Sequence, residues 1–270
     1  MFVFCVEDNV RIATSNQVDA IRGMVRGDEE DYACMVEIGK LLTEGKGKRV
    51  YATNDPDTAV VYFKDEALAF HGLKRGRILG KGEVNNAICA HLFGMLHEHG
   101  IKTHFIRTLD ARQSLVHRCD IIPIAVKIRN RVAGSLVSRT GLTTGTKLDT
   151  PIVEFELRDE YLENPLINGT HAVALHLATQ EELRHIVDTA LKINQILSDY
   201  TAEIGVELVD FKVEFGRWDG QIILADEISP DTARFWDAKT HEPMDIDRFR
   251  RDLGNVEQAY QELLRRMMGE

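Results

Sequence analysis

Seven residues constrain this chain more than any others: Val209-Asp-Phe-Lys-Val-Glu-Phe215, in which apolar and charged side chains alternate without a break. A strand has a side-chain period of two. The pattern therefore predicts a strand with Asp210, Lys212 and Glu214 on one face and Val209, Phe211, Val213 and Phe215 on the other. Gly216-Arg-Trp-Asp-Gly220 supplies a turn, and Ile222-Ile-Leu-Ala-Asp-Glu227 returns as a second strand. With the turn centred near Asp219, Lys212 is expected opposite Asp226, and Glu214 and Asp226 become diagonal neighbours. Two carboxylates so placed suit Mg²⁺, which takes a few carboxylate oxygens and completes its shell with phosphates and water. A solvent-facing strand with mixed charges would show the same alternation.

Three basic segments complement this acidic pair. Glu44-Gly-Lys-Gly-Lys-Arg49 lies between two strand signals. Its glycines allow close backbone approach, and Lys46 and Lys48 bring positive charge, so it reads either as a hairpin-type phosphate loop or as a basic exposed turn. It is not a Walker A loop, because the G-K-[ST] sequence and its helix are missing. In Lys127-Ile-Arg-Asn-Arg-Val-Ala-Gly-Ser135, Lys127 and Arg129 share a strand face, and an arginine with a nearby serine hydroxyl suits an oxyanion. Lys74, Arg75, Arg77 and Lys81 form a third cluster; this one and the last could equally pair with the acidic surface. Asp231-Thr-Ala-Arg234 follows Pro230 and offers an arginine fork for a carboxylate, or an ordinary turn.

The rest of the pattern predicts an α+β chain. Leu41-Leu42, Val50-Tyr-Ala52 and Ala59 to Phe63 read as a strand meander with turns at Gly45 to Lys48 and Asn54 to Asp57. Glu83 to His99 reads as a helix from Val84, Ile88, Leu92 and Leu96, ended by Gly100. Strands are expected at 103–106, 114–118, 121–128 and 151–157. Thr179-Gln-Glu-Glu182 is a capping box opening a long helix to Gly205, and 247–268 reads as one closing helix. No G-x-G-x-x-G follows a strand, so a Rossmann domain is not expected.

Composition narrows the function classes. A net charge of −10 over 270 residues argues against general nucleic-acid binding, and requires local basic clusters if the substrates are anions. No apolar run approaches a membrane span, and Met1 to Val6 lacks the basic start of a signal peptide, so a cytoplasmic protein without a membrane partner is expected. Cys5, Cys34, Cys89 and Cys119 are scattered, which suggests reduced thiols rather than a zinc site.

Several of these segments, in order, carry a resemblance. From about Leu42 onward the chain resembles the SAICAR synthetase (phosphoribosylaminoimidazole-succinocarboxamide synthase) family. The matching stretches include Glu44 to Lys48, Gly80 to Asn86, Val126 to Ser135, Pro151 to Phe155, Asn164 to Asn168, Val209 to Gly216, Ala225 to Asp231 and Phe249 to Gly254. Gly47 stands where the family often has Ala, and Ala233 where it often has Cys or Ser. The resemblance implies a two-lobed, ATP-grasp-like and kinase-related fold: antiparallel sheets with flanking helices, and ATP in the cleft between the lobes. It implies lobes of 35–119 and 120–270, with 1–34 as an extension of unknown role or the product of an early start codon. It also implies the ligation of L-aspartate to the carboxylate of the ribonucleotide CAIR, giving SAICAR, ADP and phosphate in purine biosynthesis. Carried over by motif, Lys46, Gly47 and Lys48 hold ATP phosphates. Glu214 and Asp226 bind Mg²⁺ and with it the nucleotide. Arg129, Ser135, Asp210, Lys212, Asp231 and Arg234 line the CAIR and aspartate pocket, with Arg129, Asp210 and Lys212 closest to the chemistry. Lys81 and Asn85 lie near the nucleotide substrate, and the adenine meets backbone near Arg118 to Ile121. A homo-oligomer, most simply a dimer, is implied as well. The alternatives are another ATP-dependent carboxylate–amine ligase, a small-molecule kinase on the same fold, and a non-catalytic nucleotide-binding protein, which should have lost part of this charged set.

Overall fold

The alternating segment is indeed a strand, and the longest in the protein's second sheet. The computed structural model describes residues 2–6, 9–13, 36–69 and 73–269, with side chains from residue 36 onward. Most of the expected N-terminal extension lies outside the described residues. Within it, β1 (Phe2–Val6) and β2 (Asn9–Ala13) form an antiparallel hairpin. β1 joins β3 (Val36–Glu44) through Phe2↔Glu37 and Val3↔Val36.

From β3 the expected meander follows: β4 (Lys48–Thr53) and β5 (Thr58–Phe63), all antiparallel. With β8 (Phe105–Asp110) and β9 (Gln113–His117) they make a sheet of order β2-β1-β3-β4-β5-β9-β8. Between β5 and β8 run a ribbon, β6 (Glu66–Ala69) with β7 (Lys74–Arg77), and the helix α1 (Lys81–Glu98). The ribbon has only four-residue strands and a weak pattern. Gly76 is there because the Phe249 ring takes the space of a side chain: an added Cβ would lie 2.7 Å from it.

α1 begins two residues earlier than its apolar periodicity suggests. Its N-cap Gly80 offers no side chain; Asp65 instead accepts the Gly82 N–H at 3.1 Å and the Arg112 guanidinium at 2.7 Å. A carboxylate there satisfies an orphan donor and complements the helix dipole. The early start adds Lys81 to the helix, one turn before Asn85, so both project from one side. Val84, Ile88, Leu92 and Leu96 are buried in the main core.

The second sheet has the order β12-β11-β10-β13-β14, built from β10 (Asp120–Arg131), β11 (Lys147–Leu157), β12 (Leu166–Ile167), β13 (Val206–Trp218) and β14 (Gln221–Ala225). A further strand, β15 (Ala233–Asp237), also pairs with β13. Thus β13 has β10 along one edge, while β14 and β15 share the other: β14 takes Glu214 to Trp218 and β15 takes Val206 to Phe211. The chain between them, 226–232, sits beside Lys212, whose N–H donates to Thr232 O at 2.9 Å. This places the acidic segment at the gap in the sheet edge.

Short helices α2 (Ser135–Thr140) and α3 (Gly169–Ala174) flank this sheet, and α4 (Gln180–Glu203) crosses it. The expected capping box is present: the Thr179 hydroxyl accepts from Glu182 N, and the Glu182 side chain accepts from Thr179 N. Ile186, Ala190, Ile193 and Leu197 seal α4 onto the core that also holds Phe211, Val213 and Phe215. Each of the larger of these buried side chains, the isoleucines, Leu197 and the phenylalanines, contributes about 1.5–3 kcal/mol.

Three expectations need correction. Val209 does not share the face of Phe211: a register shift between Leu208 and Asp210 turns it toward Ala133 and Trp236, and Leu208 enters the main core instead. The single helix expected over 247–268 is two, α5 (Asp247–Arg250) and α6 (Val256–Met268), because Asp252, Gly254 and Asn255 take positive φ. Finally, strand pairing at the β13–β14 hairpin is displaced by one residue: Glu214 faces Ala225, so Lys212 does not face Asp226. The two-residue turn Asp219-Gly220, both left-handed, sets this register, and β14 ends before Asp226.

Candidate active site

Charge on the second sheet is arranged as a ladder. Register places Arg129 opposite Asp210 and Lys127 opposite Lys212, with Glu154 and Glu156 on the neighbouring β11. Arg129 is 1% exposed and fully engaged. It contacts Glu154 Oε2 at 2.6 Å and Asp210 Oδ2 at 3.0 Å, and donates to the Ala133 carbonyl and Ser135 Oγ. On the other side of Asp210, Arg234 donates to both carboxylate oxygens at 2.8–2.9 Å and to Asp247 at 2.7 Å. Gly134, at φ 54°, makes room: a Cβ there would lie 2.6 Å from Arg234 Nη2. Asp210 and Glu214 are 2% and 4% exposed, so this is not a solvated face. Burying such groups is sustained only by pairing of this density.

Asp226 enters the same region from a different backbone. Its φ of 61° is unusual for a non-glycine residue and turns the chain out of β14. The buried His104 ring lies 3.0 Å from the Asp226 carbonyl and braces this turn. Lys48, on β4 of the first sheet, reaches across to contact the Asp226 carboxylate and lies 2.9 Å from Glu227 Oε1. Burial would lower the Lys48 pKa, but the two carboxylates outweigh it and hold the ammonium well above its ordinary range. Burial would likewise raise Asp226, yet Lys48 pulls it down to about 2. Glu214 moves the other way: burial first, then the Asp226 charge, raise it. Arg158 stands 2.6 Å and Lys212 3.8 Å from it. Neighbouring carboxylates pushed apart in this way are typical of sites that handle charge.

A third group forms where α1 meets the 226–232 segment. Lys81, its side chain fully buried, contacts Asp231 Oδ2, and the Tyr260 hydroxyl of α6 donates to Oδ1 at 2.8 Å. Gly47 passes close by; a Cβ on it would lie 3.3 Å from Asp231 Oδ2.

These groups surround a cleft of about 500 Å³, lined among others by Lys46, Lys127, Ser135, Asp210, Lys212, Asp231, Arg234 and Arg250. Six residues singled out from sequence, Lys46, Ser135, Asp210, Lys212, Asp231 and Arg234, therefore share one cavity. Gly47 and Lys81 adjoin it through Asp231, Arg129 through Ser135 and Asp210, and Glu214 through Lys212; Lys48 and Asp226 form a neighbouring group whose charge reaches Glu214, and Asn85 lies one helical turn from Lys81. Arg129 stands behind the wall, tied to Ser135 and Asp210, rather than opening onto the cavity. Lys46 and Lys48 diverge: Lys46 is exposed and lies 3.2 Å from Glu160.

Residues 41–267 match the SAICAR synthetase family model. The chain belongs to the SAICAR synthetase family. It is 54% identical over 228 residues to the phosphoribosylaminoimidazole-succinocarboxamide synthase of Chlorobium limicola, covering 84% of this chain and 97% of that protein. The crystal structure of the synthase from Ehrlichia chaffeensis superposes with a TM-score of 0.83 at 41% identity, over 84% of this chain and 98% of the other. A SAICAR synthetase in complex with ADP superposes at 0.82 with 46% identity, over 84% of this chain and 97% of that one.

In this SAICAR synthetase chain several site groups escaped the sequence reading. Glu227 is Lys48's second partner, Glu154 orients Arg129, Asp247 orients Arg234, and Arg158 faces Glu214. Only Glu227 carried a signal, as the neighbour of Asp226; the others depend on register between strands distant in sequence. No group of three metal-ligating side chains occurs among the described residues. Mg²⁺ does not require one, since phosphates and water supply most of its shell. The acidic pair fits that ion in donor chemistry, since both residues offer carboxylate oxygens; Glu214 Oε2 makes no hydrogen bond, and its near neighbour is the Arg158 guanidinium at 2.6 Å.

Proposed function

We propose that this protein joins the carboxylate of CAIR to the amino group of L-aspartate at the expense of ATP, giving SAICAR, ADP and phosphate in purine biosynthesis. The observation that supports this reading is convergence: Lys46, from the loop between β3 and β4, lines one cleft with Asp210, Lys212 and Arg234, while Lys48 of β4 reaches Asp226, whose charge acts on Glu214 beside Lys212. Residues 35–119 then act as one lobe and 120–270 as the other, with the adenine against backbone near Arg118 to Ile121. No helix among the described residues is long and apolar enough to cross a membrane. A cytoplasmic dimer is the simplest assembly for this reading.

A carboxylate resists amine attack because its charge is delocalised and oxide is a poor leaving group. Transfer of the γ-phosphoryl group to a CAIR carboxylate oxygen gives an acyl phosphate; the neutral aspartate amine attacks its carbonyl carbon, and phosphate departs with its bridging oxygen. Lys46, Lys48 and Lys212 offset charge on the transferring group. Glu214 and Asp226 would hold Mg²⁺, which neutralises charge on the ATP phosphates. Arg234 and Ser135 orient the ribonucleotide, while Asp210, clamped between Arg129 and Arg234, keeps those cations at fixed positions. Gathering three anionic substrates against their repulsion supplies much of the rate.

The test uses ¹⁸O in the CAIR carboxylate and ¹⁵N in aspartate. This route predicts one ¹⁸O in the released phosphate and ¹⁵N in the product amide. A stable phosphorylated product without ¹⁵N would instead identify a kinase.

A further inference from the structure

The cleft is built for anions, yet one ionised carboxylate in its wall has a purpose-built support. Lys127, which faces the cleft, is tied to Glu156 at 2.6 Å, and Asp210 is clamped by Arg129 and Arg234. Asp231 differs, because its cationic partner Lys81 lies wholly buried behind it. Tyr260 donates to its other oxygen, and the Asn85 side chain lies close enough to help hold its charge. Tyr260 is 1% exposed and stands in the main core with Leu263 and Met267, where a phenyl ring would pack as well. A buried hydroxyl without a partner is costly, so its place there is explained by the carboxylate it serves. Burial would raise the Asp231 pKa, but Lys81 and Tyr260 keep it low, so the group stays charged. Beside it, buried Asn85 Oδ1 has no hydrogen-bond partner. That oxygen is a second acceptor near the same place.

Resting on the ligase reading above, we propose that Asp231 receives the ammonium group of the amine substrate, and that Tyr260 is a positioning residue which fixes its carboxylate. The chemistry leaves few choices. Phosphates and carboxylates are repelled by Asp231, and among the three substrates only aspartate brings a cationic donor. An ammonium has three N–H groups, suited to a carboxylate oxygen and an amide oxygen together. The anchor would hold the nitrogen in place until it loses its proton and attacks.

The experiment measures Tyr260→Phe and Asp231→Asn against the wild type, with succinate as the probe that is aspartate without its ammonium. Loss of one hydrogen bond to a charged group should raise the aspartate KM about tenfold in Tyr260→Phe, with kcat and the KM values for ATP and CAIR within about twofold. Asp231→Asn should raise the aspartate KM further, while the inhibition constant of succinate stays unchanged or falls in both variants. In the Asp231→Asn background, Tyr260→Phe should add no further loss, because its effect runs through that carboxylate. Three results would each overturn the proposal: an unchanged aspartate KM, an equal rise in the succinate constant, or a Tyr260→Phe penalty that persists without the Asp231 charge. A shift in divalent-cation dependence in place of aspartate KM would also overturn it. If Tyr260→Phe fails to fold, the aspartate–succinate comparison in Asp231→Asn alone decides. A wild type that consumes no aspartate would overturn the ligase reading itself, and is distinguished by needing no variant.

Discussion

Replacing Lys48 by methionine keeps the length of the side chain and removes a cation that reaches from the first sheet to Asp226 and Glu227 beside the second. Its contacts are the Asp226 carboxylate and Glu227 Oε1. Burial alone would raise the Asp226 carboxyl; opposed chiefly by Lys48, it sits at about 2 against an ordinary 3.8. At roughly 1.4 kcal/mol per pH unit, that gap is worth on the order of 2 kcal/mol of stability at neutral pH. The sign follows from the depression. The contribution is present above pH 3.8 and is lost as pH falls toward 2. Without Lys48, two neighbouring carboxylates stay charged at neutral pH with less compensation. Lys48→Met should therefore melt roughly 5–8 °C below the wild type at pH 7.5. The difference should narrow on acidification toward pH 4, as the variant's carboxylates take up protons. The assay is a series of thermal melts of both proteins without nucleotide over that range. A variant within about 1 °C of the wild type at every pH would refute the assignment of Lys48 as the balancing charge. ADP release should also fall by at least about a hundredfold.

Three further substitutions probe other parts of the account. Glu214→Gln should behave oppositely in stability: the Glu214 pKa is raised by burial and by Asp226, so its ionisation costs stability above pH 4.5. The variant should melt at or above the wild type at pH 8, converge with it near pH 4, and still lose turnover by about a hundredfold; a clear fall in melting temperature at pH 8 would contradict this. Gly82→Ala places a Cβ 2.4 Å from Phe63 O and 2.6 Å from Arg112 Nη1, so urea unfolding should show a loss of about 1–3 kcal/mol. Arg129→Lys cannot reproduce the contacts to Glu154, Asp210 and Ser135 together. CAIR KM should rise about tenfold or more with ATP KM little changed; an unchanged CAIR KM would remove Arg129 from the pocket's support.

What could be read from sequence followed the range of each interaction. Alternation gave β13, the Gly216 to Gly220 stretch gave its hairpin although only Asp219-Gly220 forms the turn, and Thr179 with Glu182 gave the start of α4, because each signal is carried by residues a few positions apart. The one-residue error in pairing arose from centring the turn on Asp219 rather than between Asp219 and Gly220, and nothing local shows that β14 ends before Asp226 in a left-handed turn braced by His104, 122 positions away. The break between α5 and α6 was in principle legible at Gly254-Asn255, but the apolar period on either side masked it. Candidate charges were found as residue types near glycines or on alternating strands. Their partners were not, since Glu154 meets Arg129 and Tyr260 meets Asp231 only once β11 pairs with β10 and α6 docks on α1.

The central claim is that these convergent charges serve one ligation requiring ATP, CAIR and aspartate together. The most direct measurement is ADP release by the wild type with each substrate omitted in turn. Release should depend on CAIR and be completed, one ADP per SAICAR, only when aspartate is present. Steady ADP release that ignores CAIR, or multiple turnovers without aspartate, would contradict it.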